Sequence, residues 1–315
     1  MAAMVIANEN ANGGAGRRQI RQALDFLRRQ GFSFSLRTTE HAGHAQQLAA
    51  ATAQGIDTVI VMGGDGTLNE VVNGLVSAGP ERTPRLGVVP VGSSNDFSKS
   101  LGMPQDWQEA CRVVLRGRTR EVDIGQTQKR GHSTFSPGGA PETSAENVEC
   151  PHFFCSASCL GYFAEVAARS LEKRRLRGSL RYVIPAFGVI REMTEGWEMS
   201  VQTEDRVWHG RYAVLLVGNA PRFGGLTMLP QARPDDGVLD GLLVEMVSRW
   251  EALQLIPLVY RKALDRHRKV IRFQATSLSV TLRRPTLLCH DGEMVPGSFE
   301  SLEYRVLPRR LQMFG

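Results

Sequence analysis

Cysteine is sparse in this 315-residue chain. The five residues (Cys111, Cys150, Cys155, Cys159 and Cys289) are odd in number and form no CxxC pair, which argues against a disulfide framework and predicts free thiols in a reducing compartment. Long apolar runs are also missing. The longest apolar stretches, residues 182–190 and 252–260, reach about half of the roughly 18–20 residues that a membrane-spanning helix requires. The first residues carry neither a basic n-region nor an apolar h-region, so the expected location is cytoplasmic. Lysine is rare, with five residues (Lys99, Lys129, Lys173, Lys262 and Lys269) among 38 basic ones. The arginine bias suits phosphate contacts without demanding them. A net charge of +6 admits an anionic ligand, nucleic acid or an anionic membrane surface without choosing among them; no nucleic-acid partner is expected. With 42% hydrophobic and 22% charged residues the chain has ordinary globular composition, and its length favours two compact units over one.

The first 125 residues alternate between short apolar strands and helical patterns. Residues 4–7 read as a strand, and Ile20, Ala23, Leu24 and Leu27 recur at helical spacing. Residues 32–36 alternate as a strand, 42–53 read as a helix, and 58–62 form a β-branched run typical of a strand buried on both faces. A helix over 68–76, a strand over 86–91 and a helix over 107–115 continue the series. This alternation predicts a three-layer α/β domain with a mostly parallel sheet, whose ligand groups lie at the carboxyl ends of the strands. Residues 127–150, rich in Gly, Ser, Pro and Thr, read as a flexible insertion of unassigned role. Beyond it a strand over 152–157 and helices over 163–171 and 182–193 precede mostly strands, which predicts a β-rich, sandwich-like second domain over about 126–299.

The strongest chemical signal is Gly63-Gly64-Asp65-Gly66-Thr67-Leu68-Asn69-Glu70, where a buried strand runs through glycines into the start of a helix. Backbone N–H groups and the positive helix end make such a turn a phosphate cradle, and glycine lets the main chain come close. An ordinary glycine turn capped by Asp65 is the competing reading. The better-known phosphate loops are missing: there is no GxxxxGK[ST], GxGxxG fails at both glycine clusters, and no HRD or DFG set is present.

Taken with Val71-Val72-Asn73-Gly74-Leu75, Pro90-Val91-Gly92-Ser93-Ser94-Asn95-Asp96-Phe97, Pro234-Asp235-Asp236-Gly237 and His290-Asp291-Gly292-Glu293, this chain resembles the lipid kinases with a diacylglycerol kinase-type catalytic domain. These are related to sphingosine and ceramide kinases and more distantly to NAD kinases and phosphofructokinases. The resemblance implies that Gly64, Asp65, Gly66, Thr67, Leu68, Asn69 and Glu70 line the ATP phosphates, with Asn8, Thr39 and Ser93 also touching the nucleotide. It further implies that the C-terminal segment, about 300–315, packs back on the first domain. Two departures stand out: Asn8-Glu9 where the family usually has Asn-Pro, and Ser93-Ser94 where it has Thr-Ala.

Phosphoryl transfer needs a cation to offset phosphate charge and carboxylates to hold it. Asp65, Asp96 and Asp123 each follow a predicted strand and are expected to organise a catalytic magnesium ion, directly or through water; cap or turn carboxylates are the alternative. Arg233-Pro234-Asp235-Asp236-Gly237-Val238 resembles the family's structural magnesium loop, implying the Asp236 side chain and the Arg233 and Val238 carbonyls as ligands. A plain Asp-Gly turn competes with that reading.

A lipid hydroxyl attacks only when its proton is accepted. The resemblance assigns this role to Glu293, with Asp291 as rival or partner, and partial burial against a lipid pocket is expected to raise the basicity of Glu293. The cluster Cys150, His152, Cys155 and Cys159 matches no common zinc spacing. The basic run at residues 173–177 precedes an apolar segment and is a candidate for peripheral contact with an anionic membrane. The expected activity is magnesium- and ATP-dependent phosphorylation of a lipid hydroxyl, diacylglycerol-like or related. NAD kinase-like transfer and a catalytically silent nucleotide-binding membrane adaptor are the alternatives. Oligomeric state is left open, a homodimer being compatible with the sequence.

Overall fold

The computed structural model describes residues 2–52, 55–79, 83–130, 151–172 and 180–315. Most of the expected insertion, Cys150 and the basic run at 173–177 lie outside them. The chain divides into two compact units, Met1–Ile124 with Pro308–Gly315, and Gly125–Leu307.

In the first unit β1 (Ala3–Ala7), β2 (Ser35–Thr38), β3 (Thr58–Gly63) and β4 (Arg85–Pro90) form a parallel sheet in the order β4-β3-β1-β2. Every residue of β1 and β3 is buried, as a sheet covered on both faces requires. The helices are α1 (Arg17–Arg29), α2 (His44–Thr52), α3 (Asp65–Ser77), α4 (Asp96–Ser100) and α5 (Trp107–Arg116). α1 buries the stripe Ile20, Ala23, Leu24 and Leu27 that its periodicity announced. The side chain of Asp106 caps α5 by accepting from the Gln108 and Glu109 amides, and Gly117 ends the helix at φ 74°. Phe314, far along the chain, joins Val5, Ile60, Val89 and Val114 in one core. Next comes β5 (Thr119–Lys129), in which Asp123 is an interior residue. The expectation that Asp123 follows a strand is therefore corrected, and residues 127–129 belong to this strand.

The second unit begins with β6 (His152–Phe154) and β7 (Ala157–Gly161), followed by α6 (Tyr162–Glu172) and α7 (Leu180–Glu192). Strands β8 (Trp197–Thr203), β9 (Val207–Gly218), β10 (Arg222–Phe223), β11 (Leu226–Thr227) and β12 (Leu239–Glu245) come next. α8 (Arg249–Tyr260), β13 (Val270–Ala275), β14 (Ser277–His290) and β15 (Glu293–Phe314) complete it. The pairings are antiparallel, in the order β13-β12-β9-β7-β14-β15. β9 and β14 each pair with β7 at one end and with β8 at the other, so the two long strands bend around a shared core.

Two differences from the sequence reading matter. The strand expected over 152–157 is broken at Cys155–Ser156, and residues 252–260 lie in a helix that the strand-rich reading passed over.

α2 and α3 approach each other at Gly74, where an added Cβ would stand 2.3 Å from the Gln46 carbonyl oxygen and 2.9 Å from the Ala49 Cβ. Main chain cannot yield as a side chain can. We therefore expect Gly74→Ala to destabilise by about 1–3 kcal/mol despite alanine's higher helix propensity. The test is a urea titration, where the midpoint should fall with the slope unchanged.

Candidate active site

On the first unit, β3 delivers Gly63 and Gly64 to the start of α3, and β4 delivers Val91 and Gly92 beside them. A Cβ on Gly92 would lie 2.4 Å from the Gly64 Cα, and one on Gly63 would lie 2.6 Å from the Thr67 Cβ. The amide of Val91 donates to the Gly63 carbonyl at 3.0 Å. The N-cap residue of α3, Gly64, has no side chain with which to cap it. The helix's first N–H groups, with the positive helix end, thus form the concavity suited to phosphate oxygens.

The surrounding side chains brace this turn. Asn8 donates from Nδ2 to Thr67 Oγ1 at 2.9 Å and accepts at Oδ1 from the Asn10 amide, so it ties the loop after β1 to α3. Glu9, at the place of the family's proline, pairs with Arg17 at 3.1 Å. Thr39 is buried, and its amide donates to the Ala7 carbonyl. Ser93 is exposed on the loop after β4. Asn95, to which the motif reading gave no role, organises that loop. It adopts φ 51°, accepts at Oδ1 from the Gly92 amide and donates from Nδ2 to the Gly92 carbonyl. Asparagine is the residue that tolerates this left-handed geometry best after glycine, a signal readable from Ser-Ser-Asn-Asp.

Glu70, expected along the phosphates, is engaged by main chain. Its two oxygens accept from the Gly43 and Ala45 amides at 2.9 and 3.1 Å, which holds the loop at the start of α2. A carboxylate so engaged braces the loop that leads into α2.

The expected acidic cluster is only partly assembled. Asp65 opens α3 and accepts at Oδ1 from the Phe97 amide at 3.2 Å, which brings it to the first turn of α4, where Asp96 is buried. Asp123 is buried within β5 and accepts from the Arg309 amide at 2.7 Å. Among the described residues no three His, Cys, Asp or Glu side chains gather as a metal cluster. On the second unit, Asp236 sits in the turn before β12 and accepts from the Val238 amide at 3.3 Å, with Gly237 at φ 76°. Asp236 thus presents an exposed carboxylate, the hard-oxygen donor type that magnesium takes together with water.

The acidic turn joins β14 to β15. Asp291 and Gly292 have φ of 52° and 90°, as a two-residue hairpin turn with both positions left-handed requires, and His290 pairs with Glu293 across it. Asp291 accepts from three amides, Cys155 at 2.8 Å through Oδ2, and Ser156 at 2.7 Å and Ala157 at 3.0 Å through Oδ1. Its own amide donates back to the Ala157 carbonyl. This is what breaks the expected strand at 155–156. Asn219 grips the same bend, donating from Nδ2 to the Cys155 carbonyl at 3.0 Å. His290 is buried with Nε2 3.1 Å from Thr127 Oγ1. Burial, then the neighbouring His152, push its pKa down to about 3, so it adds no charge beside the turn at neutral pH. Glu293 is exposed; the burial expected to raise its basicity is not found.

The two acids of this turn are thus separable by experiment. Asp291→Ala leaves three amides of buried residues without their acceptor and should cost about 2–5 kcal/mol of stability. Glu293→Gln changes an exposed side chain and should shift stability by less than about 0.5 kcal/mol. Denaturant titration of both variants is the measurement; equal losses would contradict the division.

Comparison with known proteins bears on the family and the fold. Residues 2–127 match the diacylglycerol kinase catalytic domain, and residues 156–315 match the YegS C-terminal NAD kinase beta sandwich-like domain. A diacylglycerol kinase of Staphylococcus saprophyticus is 29% identical over 310 residues, covering 96% of this chain and 93% of its own. One from Staphylococcus epidermidis is likewise 29% identical, with 96% and 90% covered. A solved structure of a diacylglycerol kinase from Bacillus anthracis str. Sterne has the same fold, with a TM-score of 0.71 at 19% identity, covering 99% of this chain and 96% of that one. The family that the motifs resemble is the family found: this chain belongs to the lipid kinases built on the diacylglycerol kinase catalytic domain.

Proposed function

We propose that this lipid kinase transfers the γ-phosphate of ATP, with magnesium, to the free hydroxyl of a diacylglycerol-like lipid. The observation that carries the nucleotide half is the main-chain approach at Gly64 and Gly92 beside the uncapped start of α3, because only a ligand rich in anionic oxygen needs such a surface. Magnesium offsets the charge on the transferring phosphate. Asp236 with the Arg233 and Val238 carbonyls would hold one ion; Asp65 and Asp96, joined through the first turn of α4, would serve the ion at the phosphates. Asn8, Thr67 and Asn95 keep the loops in register for the nucleotide. Glu293 accepts the proton of the lipid hydroxyl while its oxygen bonds to the γ-phosphorus and the bond from that phosphorus to the bridging oxygen breaks, leaving ADP. Asp291 holds the turn that presents Glu293.

Labelled ATP and magnesium with a lipid panel plus NAD tests this reading. Glu293→Gln should lower lipid phosphorylation by about 100- to 10,000-fold. Label entering NAD and no lipid would overturn the acceptor, and full activity of Glu293→Gln would remove the base.

A lipid acceptor also requires access to a bilayer. Leu180, Ile184 and Phe187 are 57, 48 and 52% exposed at helical spacing along α7, and Trp250 and Tyr260 of α8 are 71 and 51% exposed. Exposed Arg261, Lys262 and Arg266 follow α8 and suit anionic headgroups. The double variant Phe187→Ser, Trp250→Ser should sediment several-fold less with phosphatidylglycerol vesicles while binding ATP as before. Unchanged sedimentation would locate membrane contact elsewhere.

A further inference from the structure

Among α6, the end of α7, β8 and β14 the second unit holds an open cavity of about 530 Å³, within the range of roughly 300–1,000 Å³ usual for small-molecule sites. Both signs of charge line it. Glu165 and Arg169 come from one face of α6, Glu192 from the end of α7 and Arg284 from β14. The aromatic wall is held in place: Tyr162 and Trp197 meet edge to face at 4.9 Å, Tyr162 Oη accepts from the Thr194 amide, and Trp197 Nε1 donates to the Pro285 carbonyl.

The four charges are unequally engaged. Arg169 donates to Glu192. Arg284 lies over the Trp197 indole, 4.9 Å from its centroid, and donates from Nη2 to the Gly196 carbonyl. A guanidinium is a planar fork of several donors, so Arg284 keeps others for a ligand. Glu165 is half-buried and accepts no hydrogen bond from the described residues. Burial pushes its pKa up; Arg169 and Arg284 pull against this, Glu192 adds to it, and burial prevails. A carboxylate in that position lacks a donor that a ligand can supply.

We propose that this cavity is a second ligand site for a small zwitterion of the phosphoethanolamine type, whose primary ammonium donates to Glu165 and whose phosphate oxygens accept from Arg284. A pure anion would face Glu165 and Glu192, and a pure cation would face Arg284; a ligand with both signs leaves neither uncompensated. With Arg284 over its indole, Trp197 has less ring to offer a quaternary ammonium, and Glu165 favours an ammonium that carries N–H. The exposed Leu287 lies beside the ligand's carbon atoms. No residue of the proposed phosphoryl transfer takes part, so the site stands independently of that reading.

Isothermal titration calorimetry of the full chain without nucleotide tests the site. Phosphoethanolamine should bind with a Kd of about 1 mM or tighter, and ethanolamine, glycerol 3-phosphate and phosphocholine each at least about tenfold more weakly. Glu165→Gln keeps the shape and removes the charge. It should weaken phosphoethanolamine by about tenfold or more and leave glycerol 3-phosphate within about twofold. Leu287→Trp, at an exposed position, narrows the cavity and should weaken phosphoethanolamine without removing a charge; an unchanged urea midpoint marks each variant as folded. Sedimentation with phosphatidylcholine vesicles, with and without phosphatidylethanolamine, separates the two sources of this chemistry. Several-fold more sedimentation with phosphatidylethanolamine, lost in Glu165→Gln, assigns the bilayer headgroup, whereas calorimetric binding without that gain assigns the free phosphate ester. No binding of phosphoethanolamine up to about 10 mM, equal binding of phosphocholine, or wild-type affinity in Glu165→Gln would overturn the proposal. None of these readouts uses turnover, so a chain that phosphorylated no lipid would still decide them.

Discussion

The glycine turns of the first unit depend on two stretches of main chain almost touching. Gly64 and Gly92 come so close that any side chain on Gly92 would meet the opposite backbone. Their contact sets the entry into α3, whose N-cap residue, Gly64, has no side chain to cover the helix end. The rest of the neighbourhood is arranged to preserve that contact: Asn95 closes the second loop on itself, Asn8 anchors the first loop to Thr67, and Glu70 ties down the start of α2. Phosphoryl transfer asks little covalent chemistry of a protein and much exact placement of dipoles, so a site built mainly from braced backbone is what the reaction calls for.

On the second unit a pair of acidic residues two positions apart divides two kinds of work. Asp291 gives its oxygens to the amides of Cys155, Ser156 and Ala157 and is thereby part of the fold. Glu293 is exposed. A two-residue turn with both residues left-handed fixes the geometry between them, so the residue that organises the turn also sets where Glu293 points away from it.

Much of this was legible in the sequence because it is local. The apolar stripe of α1, the buried run of β3, the glycines before α3 and the Asp-Gly hairpin each declare themselves within a dozen residues. What escaped is mostly long-range. The break at Cys155–Ser156 is made by a carboxylate about 135 residues away in sequence, and the Glu70 carboxylate is claimed by amides about 25 residues earlier. Asp123 looked like a strand-end residue because nothing nearby announces that Arg309 would bond to it inside β5. α8 was obscured by Pro257 within an apolar run, although Ser248 and Glu251 spell the capping box that starts it.

The first unit is discontinuous along the chain: residues 308–315 return to it after the whole of the second unit, and Leu311, Met313 and Phe314 are buried there. During vectorial synthesis the first unit therefore emerges first yet lacks three apolar residues until the second unit has been made. Until then its sheet exposes an unfinished edge, and the half that appears earliest is the last to be sealed.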